Sequence, residues 1–249
     1  MQLVAIIGGS GLTKLQNLEI TRREVLRTPF GEPSAPLVFG HLGGQQAVFL
    51  ARHGHGHTIP PHEVNYRANI WALKEVGASH VIAVNAVGGI TPAMVSGGLV
   101  FPDQIIDYTY GRNHTFFGNE QKVVTHVDFT FPYCEELRQS LIMAASRARL
   151  SVSPTGTYAA TQGPRFETIA EIRRLERDGA DIVGMTGMPE TSLARELSLC
   201  YACIAVVANP AAGKAAGTIS LKEIERTLES GMTKVRSLLE QVLPALVQS

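Results

Sequence analysis

Four short apolar runs, at residues 3–7, 80–84, 181–185 and 202–208, are separated in several places by segments of helical period. Runs of this length without polar alternation read as strands buried on both faces, and such strands need helices on both sides of their sheet. The spacing therefore predicts an α/β fold. Residues 36–42 and 45–51 flank Gly43-Gly44, a two-residue hairpin signal, so the sheet is expected to be mixed rather than wholly parallel.

The helices are legible from their ends. Residues 62–76 place Val64, Ala68, Trp71, Ala72 and Val76 near helical spacing and stop at Gly77. Thr168-x-x-Glu171 and Ser220-x-x-Glu223 match capping boxes, which start helices after Glu167 and after Ile219. Leu221, Ile224, Leu228, Val235, Leu238, Leu239 and Val242 give the second of these a stripe that packs on the sheet. The irregular stretch 107–128 is expected to be a functional or interface loop. With no repeat, low-complexity tract or linker, residues 1–249 are expected to form a single domain.

Composition narrows the partners. Lys plus Arg and Asp plus Glu both total 22, so neither a polyanionic partner nor nucleic acid is favoured and a small ligand fits better. The first residues lack a basic segment and meet glycine after seven positions, too early for a signal peptide or membrane span, so a cytoplasmic location away from membranes is expected. Cys134, Cys200 and Cys203 suggest no disulfide framework, and Cys200-x-x-Cys203 leads into an apolar run where buried strand cysteines are expected.

Arg52-His53-Gly54-His55-Gly56-His57 offers a fixed cation and imidazoles beside two glycines, a combination that can hold an anion. A metal reading competes, because three alternating histidines in an extended strand would share one face, as in a metal-dependent hydrolase. Gly8-Gly9-Ser10-Gly11, Asn85-Ala86 and Met185-Thr186 are further candidates for anion contact at strand ends. In open α/β sheets such ends can share one cleft, although each glycine could equally serve only its own turn. Phe166-Glu167 pairs an aromatic surface with a carboxylate acceptor, and Asn209 follows an apolar strand. Those two residues gain a shared meaning only if they face the same ligand.

Together the motifs resemble the trimeric purine nucleoside phosphorylase and methylthioadenosine phosphorylase family. The resemblance runs through Ile7-Gly8-Gly9-Ser10-Gly11-Leu12, Leu50-Ala51-Arg52-His53-Gly54 with His57, Val64-Asn65-Tyr66-Arg67-Ala68-Asn69-Ile70-Trp71-Ala72-Leu73 and Gly163-Pro164-Arg165-Phe166-Glu167-Thr168. It implies a three-layer α/β sandwich with a central mixed sheet, assembled as a homotrimer. The implied reaction is phosphorolysis of a purine nucleoside by inorganic phosphate as co-substrate, with no metal and no redox cofactor, which demotes the hydrolase reading.

By matching position, the resemblance assigns phosphate binding to Ser10, Arg52, His53, Asn85, the Ala86 backbone N–H and Thr186, with Met185 against the ribose. Asn85 stands where relatives usually carry Ser or Thr. Glu167 and Asn209 match the 6-oxopurine branch, Asn209 in place of the Asp of methylthioadenosine phosphorylases. An Asn amide can donate to O6 or N7, whereas an ionised carboxylate only accepts. Leu221 and Ile224 match the apolar lining of a methylthio pocket, where inosine and guanosine enzymes carry a polar histidine. His126 matches a histidine that reaches the neighbouring subunit's site. The implied substrate combines a 6-oxopurine with a 5′-methylthioribose.

Overall fold

The structure, a computed structural model, describes residues 3–9, 18–118 and 125–247. Its strands are β1 (Leu3–Gly8), β2 (Glu19–Glu24), β3 (Leu37–Leu42), β4 (Gln45–Ala51), β5 (Ala78–Gly89), β6 (Leu99–Val100), β7 (Gln104–Asp107), β8 (Val152–Ser153), β9 (Thr157–Ala160), β10 (Ile182–Gly184) and β11 (Cys200–Pro210). Its helices are α1 (Tyr66–Glu75), α2 (Glu135–Arg147), α3 (Ile169–Arg177), α4 (Gly187–Glu196) and α5 (Leu221–Val247). The order β2-β3-β4-β1-β5-β10-β9-β7 forms one mixed sheet, and β11 joins it along β5. The β3–β4 hairpin turns at Gly43-Gly44, both at positive φ, and pairs antiparallel from Val38 opposite Phe49 to Leu42 opposite Gln45.

Period-two alternation builds the three layers. Ala5 and Ile7 of β1, Val81 and Ala83 of β5, and Tyr201 and Cys203 of β11 pack with Ile70 and Leu73 of α1 and Leu193 of α4. Their neighbours Val4, Ile6, Ile82, Ala202 and Ile204 face the other way, onto Leu137 and Leu141 of α2 and Leu238, Leu239 and Val242 of α5. A smaller cluster places Ile172 and Leu175 of α3 against Ala159 and Val183. The sandwich that the sequence resemblance implied is the observed fold.

Element bounds differ in informative ways. The helix expected over 62–76 begins at Tyr66, because the Asn65 side chain accepts the Ala68 N–H at 3.1 Å and caps it there. Thr168 forms the expected reciprocal capping box with Glu171. The strand expected to stop at residue 84 continues to Gly89, because β11 pairs with it throughout, from Cys200 opposite His80 to Pro210 opposite Gly89. Helix α2 was not singled out by the sequence.

The expectation about cysteines needs correcting. Cys134 and Cys200 form a disulfide across 66 residues, and only Cys203 is a buried free thiol. The Cys134 N–H donates to Tyr201 O at 2.8 Å, which sets the start of α2 beside the start of β11. No local spacing could reveal that neighbourhood.

Helix α5 carries Gly231 in its interior, where a Cβ would collide with Val206 Cγ1 of β11. Glycine costs a helix about 1 kcal/mol relative to alanine, so the close approach to the sheet outweighs propensity here. Gly231→Ala should therefore lower the thermal midpoint despite its better helix propensity, overpacking costing about 1–3 kcal/mol; a raised midpoint in a calorimetric scan would contradict this packing.

Candidate active site

On one edge β5 pairs with β11 throughout; on the other it pairs with β1 as far as Ala83 and with β10 only from Gly88. Residues 84–87 thus have no strand on that second edge, and a gap opens in the middle of the sheet. Arg52 Nη1 donates to Val84 O at 3.1 Å, which places that carbonyl on the open edge. Since residues two apart along a strand share an edge, the Ala86 N–H is directed to the same side. Ala86 is accordingly exposed within an otherwise buried strand.

A cavity of about 990 Å³ opens at this gap. Arg52, His53, Asn85, Ala86, Phe166, Glu167, Met185, Thr186, Asn209, Leu221 and Ile224 all line it. The topology explains the convergence: β4, β1, β5 and β11 are neighbours, and their carboxyl-terminal portions lie at one end of the sheet. Ser10 lies outside the described residues; Gly9, which precedes it in the sequence, is on the cavity wall. His126 is exposed and is not among the lining residues.

Arg52 follows β4, and its own N–H is held by Gly8 O at 2.8 Å. Its guanidinium is buried, with Nε on Glu190 Oε2 at 2.6 Å and Nη2 on Glu190 Oε1 at 2.7 Å. Nη2 also donates to Asn85 Oδ1 at 3.1 Å and, at the longer distance of 3.4 Å, towards Ile7 O. Of five N–H groups, one on Nη1 is left for a ligand. The fork that the sequence offered to phosphate is thus closed by a protein carboxylate. Burial opposes the charge, but Glu190 outweighs it and holds the Arg52 pKa above its ordinary value.

Asn85 bridges this pair to the start of α4. Its Nδ2 donates to Thr186 Oγ1 at 3.0 Å and reaches Tyr158 Oη at 3.5 Å, so neither amide hydrogen is directed at a ligand. Because Thr186 Oγ1 accepts, its own hydrogen is left to donate. Thr186 occupies the N-cap position of α4 without a capping hydrogen bond from its side chain, and is buried at the cavity wall.

The histidines do not form the three-membered face that an extended strand would give. Gly54, Gly56 and His57 have φ of 74°, 73° and 59°, which coils the segment into turns. His53 and His57 stack with centroids 4.3 Å apart, while His55 is exposed. Among the described residues no group of three or more His, Cys, Asp or Glu is arranged to hold a metal ion. His53 Nδ1 lies 2.8 Å from Ile59 O, an acceptor only, so the neutral ring carries its hydrogen on Nδ1 and presents a bare Nε2. Burial first, and then the Arg52 charge, lower the His53 pKa to about 4.

Glu167 and Asn209 face the same cavity, which local pattern left open. Thr161 Oγ1 donates to Glu167 Oε1 at 2.7 Å, leaving Oε2 free to accept, and Asn209 Nδ2 donates to Pro210 O at 2.7 Å with one hydrogen remaining. Phe166 is 42% exposed and Leu221 65%, both as open cavity wall.

Two residues that shape the site escaped sequence reading. Glu190 is fully buried between Arg52 and Tyr201, whose hydroxyl donates to Oε1 at 2.8 Å. The sole local signal was a carboxylate just after Met188-Pro189 at a helix start. Arg112, within the irregular stretch 107–128, donates through Nη1 to Met185 O at 2.9 Å and Met188 O at 2.6 Å. Its Nη2 donates to Gln162 O at 2.8 Å, so one buried cation holds the two loops that carry Glu167 and Met185.

Comparison with known proteins agrees with this geometry. The sequence profile described as "Phosphorylase superfamily" matches residues 3–244. A Pseudomonas syringae pv. tomato protein named "Probable S-methyl-5'-thioinosine phosphorylase" is 56% identical over 245 residues, covering 98% of this chain and 100% of the relative. The Pyrococcus furiosus 6-oxopurine nucleoside phosphorylase is 46% identical over 251 residues, covering 99% of this chain and 94% of its own. A Schistosoma mansoni methylthioadenosine phosphorylase, solved with adenine, superposes with a TM-score of 0.95 at 36% identity, covering 100% of this chain and 93% of that one. This chain, with its split sheet and shared strand-end cavity, belongs to the phosphorylase superfamily.

Proposed function

We propose that the protein catalyses reversible phosphorolysis of S-methyl-5′-thioinosine to hypoxanthine and 5-methylthioribose 1-phosphate. The observation that carries this reading is a single cavity that joins Glu167 and Asn209 at one place to the apolar Leu221 and Ile224 at another. The first pair suits a 6-oxopurine: Glu167 accepts from N1–H and Asn209 donates to O6 or N7. The second pair suits a thioether in place of a 5′-hydroxyl. The relatives' names agree with both halves.

Phosphate is the nucleophile in this scheme. One of its oxygens bonds to C1′ as the C1′–N9 bond breaks, and the electron pair leaves with the purine, where Asn209 stabilises the developing charge. Thr186 Oγ–H, the Ala86 N–H and the remaining Arg52 N–H are the donors available to phosphate. With Glu190 neutralising Arg52, binding depends on directed hydrogen bonds more than on net charge. His53 Nε2 accepts from a protonated phosphate oxygen. We further propose that phosphate is the sole co-substrate and that the enzyme works in the cytoplasm. As a homotrimer it would place His126 of one subunit at a neighbour's cavity, a role favoured by the exposed Val127 and Phe131 beside it.

Comparison of kcat/KM for methylthioinosine, methylthioadenosine and inosine, with and without phosphate, tests the reaction. Asn209→Asp should lower kcat/KM for methylthioinosine about a hundredfold and raise the relative use of methylthioadenosine; unchanged selectivity would remove Asn209 from its role. Glu190→Gln leaves Arg52 buried without its counter-charge and should cost about 3–5 kcal/mol in denaturant unfolding. The double variant Arg52→Met, Glu190→Met should regain much of that stability without regaining phosphorolysis. Because the free protein holds His53 near pKa 4, the unfolded chain takes up a proton between pH 6.5 and 4 that the folded chain does not. Stability should thus be intact above pH 6.5 and decline as pH falls towards 4, and His53→Gln should flatten that slope in thermal melts.

A further inference from the structure

The cavity does not end at Leu221 and Ile224. Helix α5 presents Leu221, Glu225, Leu228, Glu229, Met232 and Arg236 to it, at spacings that keep them on one helical stripe. Fifteen rises of 1.5 Å, from Leu221 to Arg236, make that wall about 22 Å long. A methylthio group needs only its first turn.

We propose that this extension is a subsite for a zwitterionic amino acid carried on the 5′ sulfur, so that the enzyme also cleaves amino-acid thioethers of 5′-thioinosine. The inference rests on the nucleoside reading above and concerns what lies past the sulfur. Leu228 and Met232 of α5, facing Val206 of β11, give an apolar passage that matches a short methylene chain. Beyond and beside it stand two carboxylates, Glu225 and Glu229, and one cation, Arg236.

Arg236 makes no ion pair with a described residue, and its Nε is buried without a hydrogen-bond partner. Its terminal Nη groups form no hydrogen bond with a described residue either, and a ligand carboxylate at the cavity wall would meet them there. Helical side chains lean towards the helix N-terminus, which carries the Arg236 guanidinium back towards Glu229. Lys234, two residues earlier, is committed elsewhere, its Nζ donating to Gly97 O at 2.7 Å. A plain acid would meet two carboxylates, and a plain amine would leave Arg236 unmet. A zwitterion answers both, its carboxylate on Arg236 and its ammonium on Glu225 and Glu229.

The test compares three substrates by phosphate-dependent base release: methylthioinosine, 5′-butylthioinosine and the homocysteine thioether of inosine. In the wild-type protein the homocysteine thioether should exceed the butyl compound in kcat/KM by about tenfold. Arg236→Met should abolish that advantage while leaving methylthioinosine within about twofold, and Arg236→Lys should restore part of it. The proposal is overturned if the wild type uses the homocysteine compound no better than the butyl one. It is also overturned if Arg236→Met lowers all three together with a raised phosphate KM, which would place the arginine on the phosphate side. Failure of methylthioinosine itself would overturn the nucleoside reading, and the subsite with it.

Discussion

The buried ion pair between Arg52 and Glu190 is the constraint around which the rest of the site is arranged. A guanidinium and a carboxylate removed from water are tolerated only when nearly every donor and acceptor is met. Here the partners come from Val84, Asn85 and Tyr201, with Ile7 at longer range, so β1, β4, β5, β11 and α4 are fixed to one another at a single point. That point lies where β5 lacks a strand neighbour. The carbonyl that a ladder would have used is taken by Arg52 instead, and the neighbouring Ala86 N–H is left facing the cavity. An opening in a sheet, normally a liability, becomes a rigid set of donors.

A second buried cation does comparable work beside Glu167. Arg112 gathers the carbonyls of Gln162, Met185 and Met188, which aligns the segment before Glu167 with the segment before α4. Gly163 lies between them at φ 61°, where a Cβ would strike the Met185 side chain. A side chain there would be strained by the backbone and would have to displace Met185, so glycine favours the close approach of the two loops. Glu167, which we propose reads the purine edge, then stands on supports that are themselves hydrogen-bonded, as discrimination between polar base edges demands.

Much of the architecture was legible because it depends on local regularities. The apolar runs marked β1, β5 and β11, Gly43-Gly44 marked the hairpin, and Thr168-x-x-Glu171 marked the start of α3. What local pattern misread shares one physical origin, namely interactions between residues far apart in the chain. Strand β5 runs on to Gly89 because β11 accompanies it, and Cys134 meets Cys200 because α2 starts beside β11. The alternation of His53, His55 and His57 suggested a common face, but backbone at positive φ disperses it.

The sequence by itself determined the layered α/β plan, the strand ends that carry polar residues, and the residue types suited to phosphate, a 6-oxopurine and a thioether. The plan and the strand ends follow from side-chain period and capping, which are local properties, whereas the match to phosphate, a 6-oxopurine and a thioether is what the motifs' resemblance to a known family implies. Only the tertiary structure decided that Glu167, Asn209, Leu221 and Thr186 share one cavity. It also decided that Arg52 is held by Glu190, 138 residues away, rather than offering its fork to a ligand. The reason is that the state of a buried charge is set by whichever partner the fold brings within hydrogen-bond reach, and sequence distance does not encode that reach.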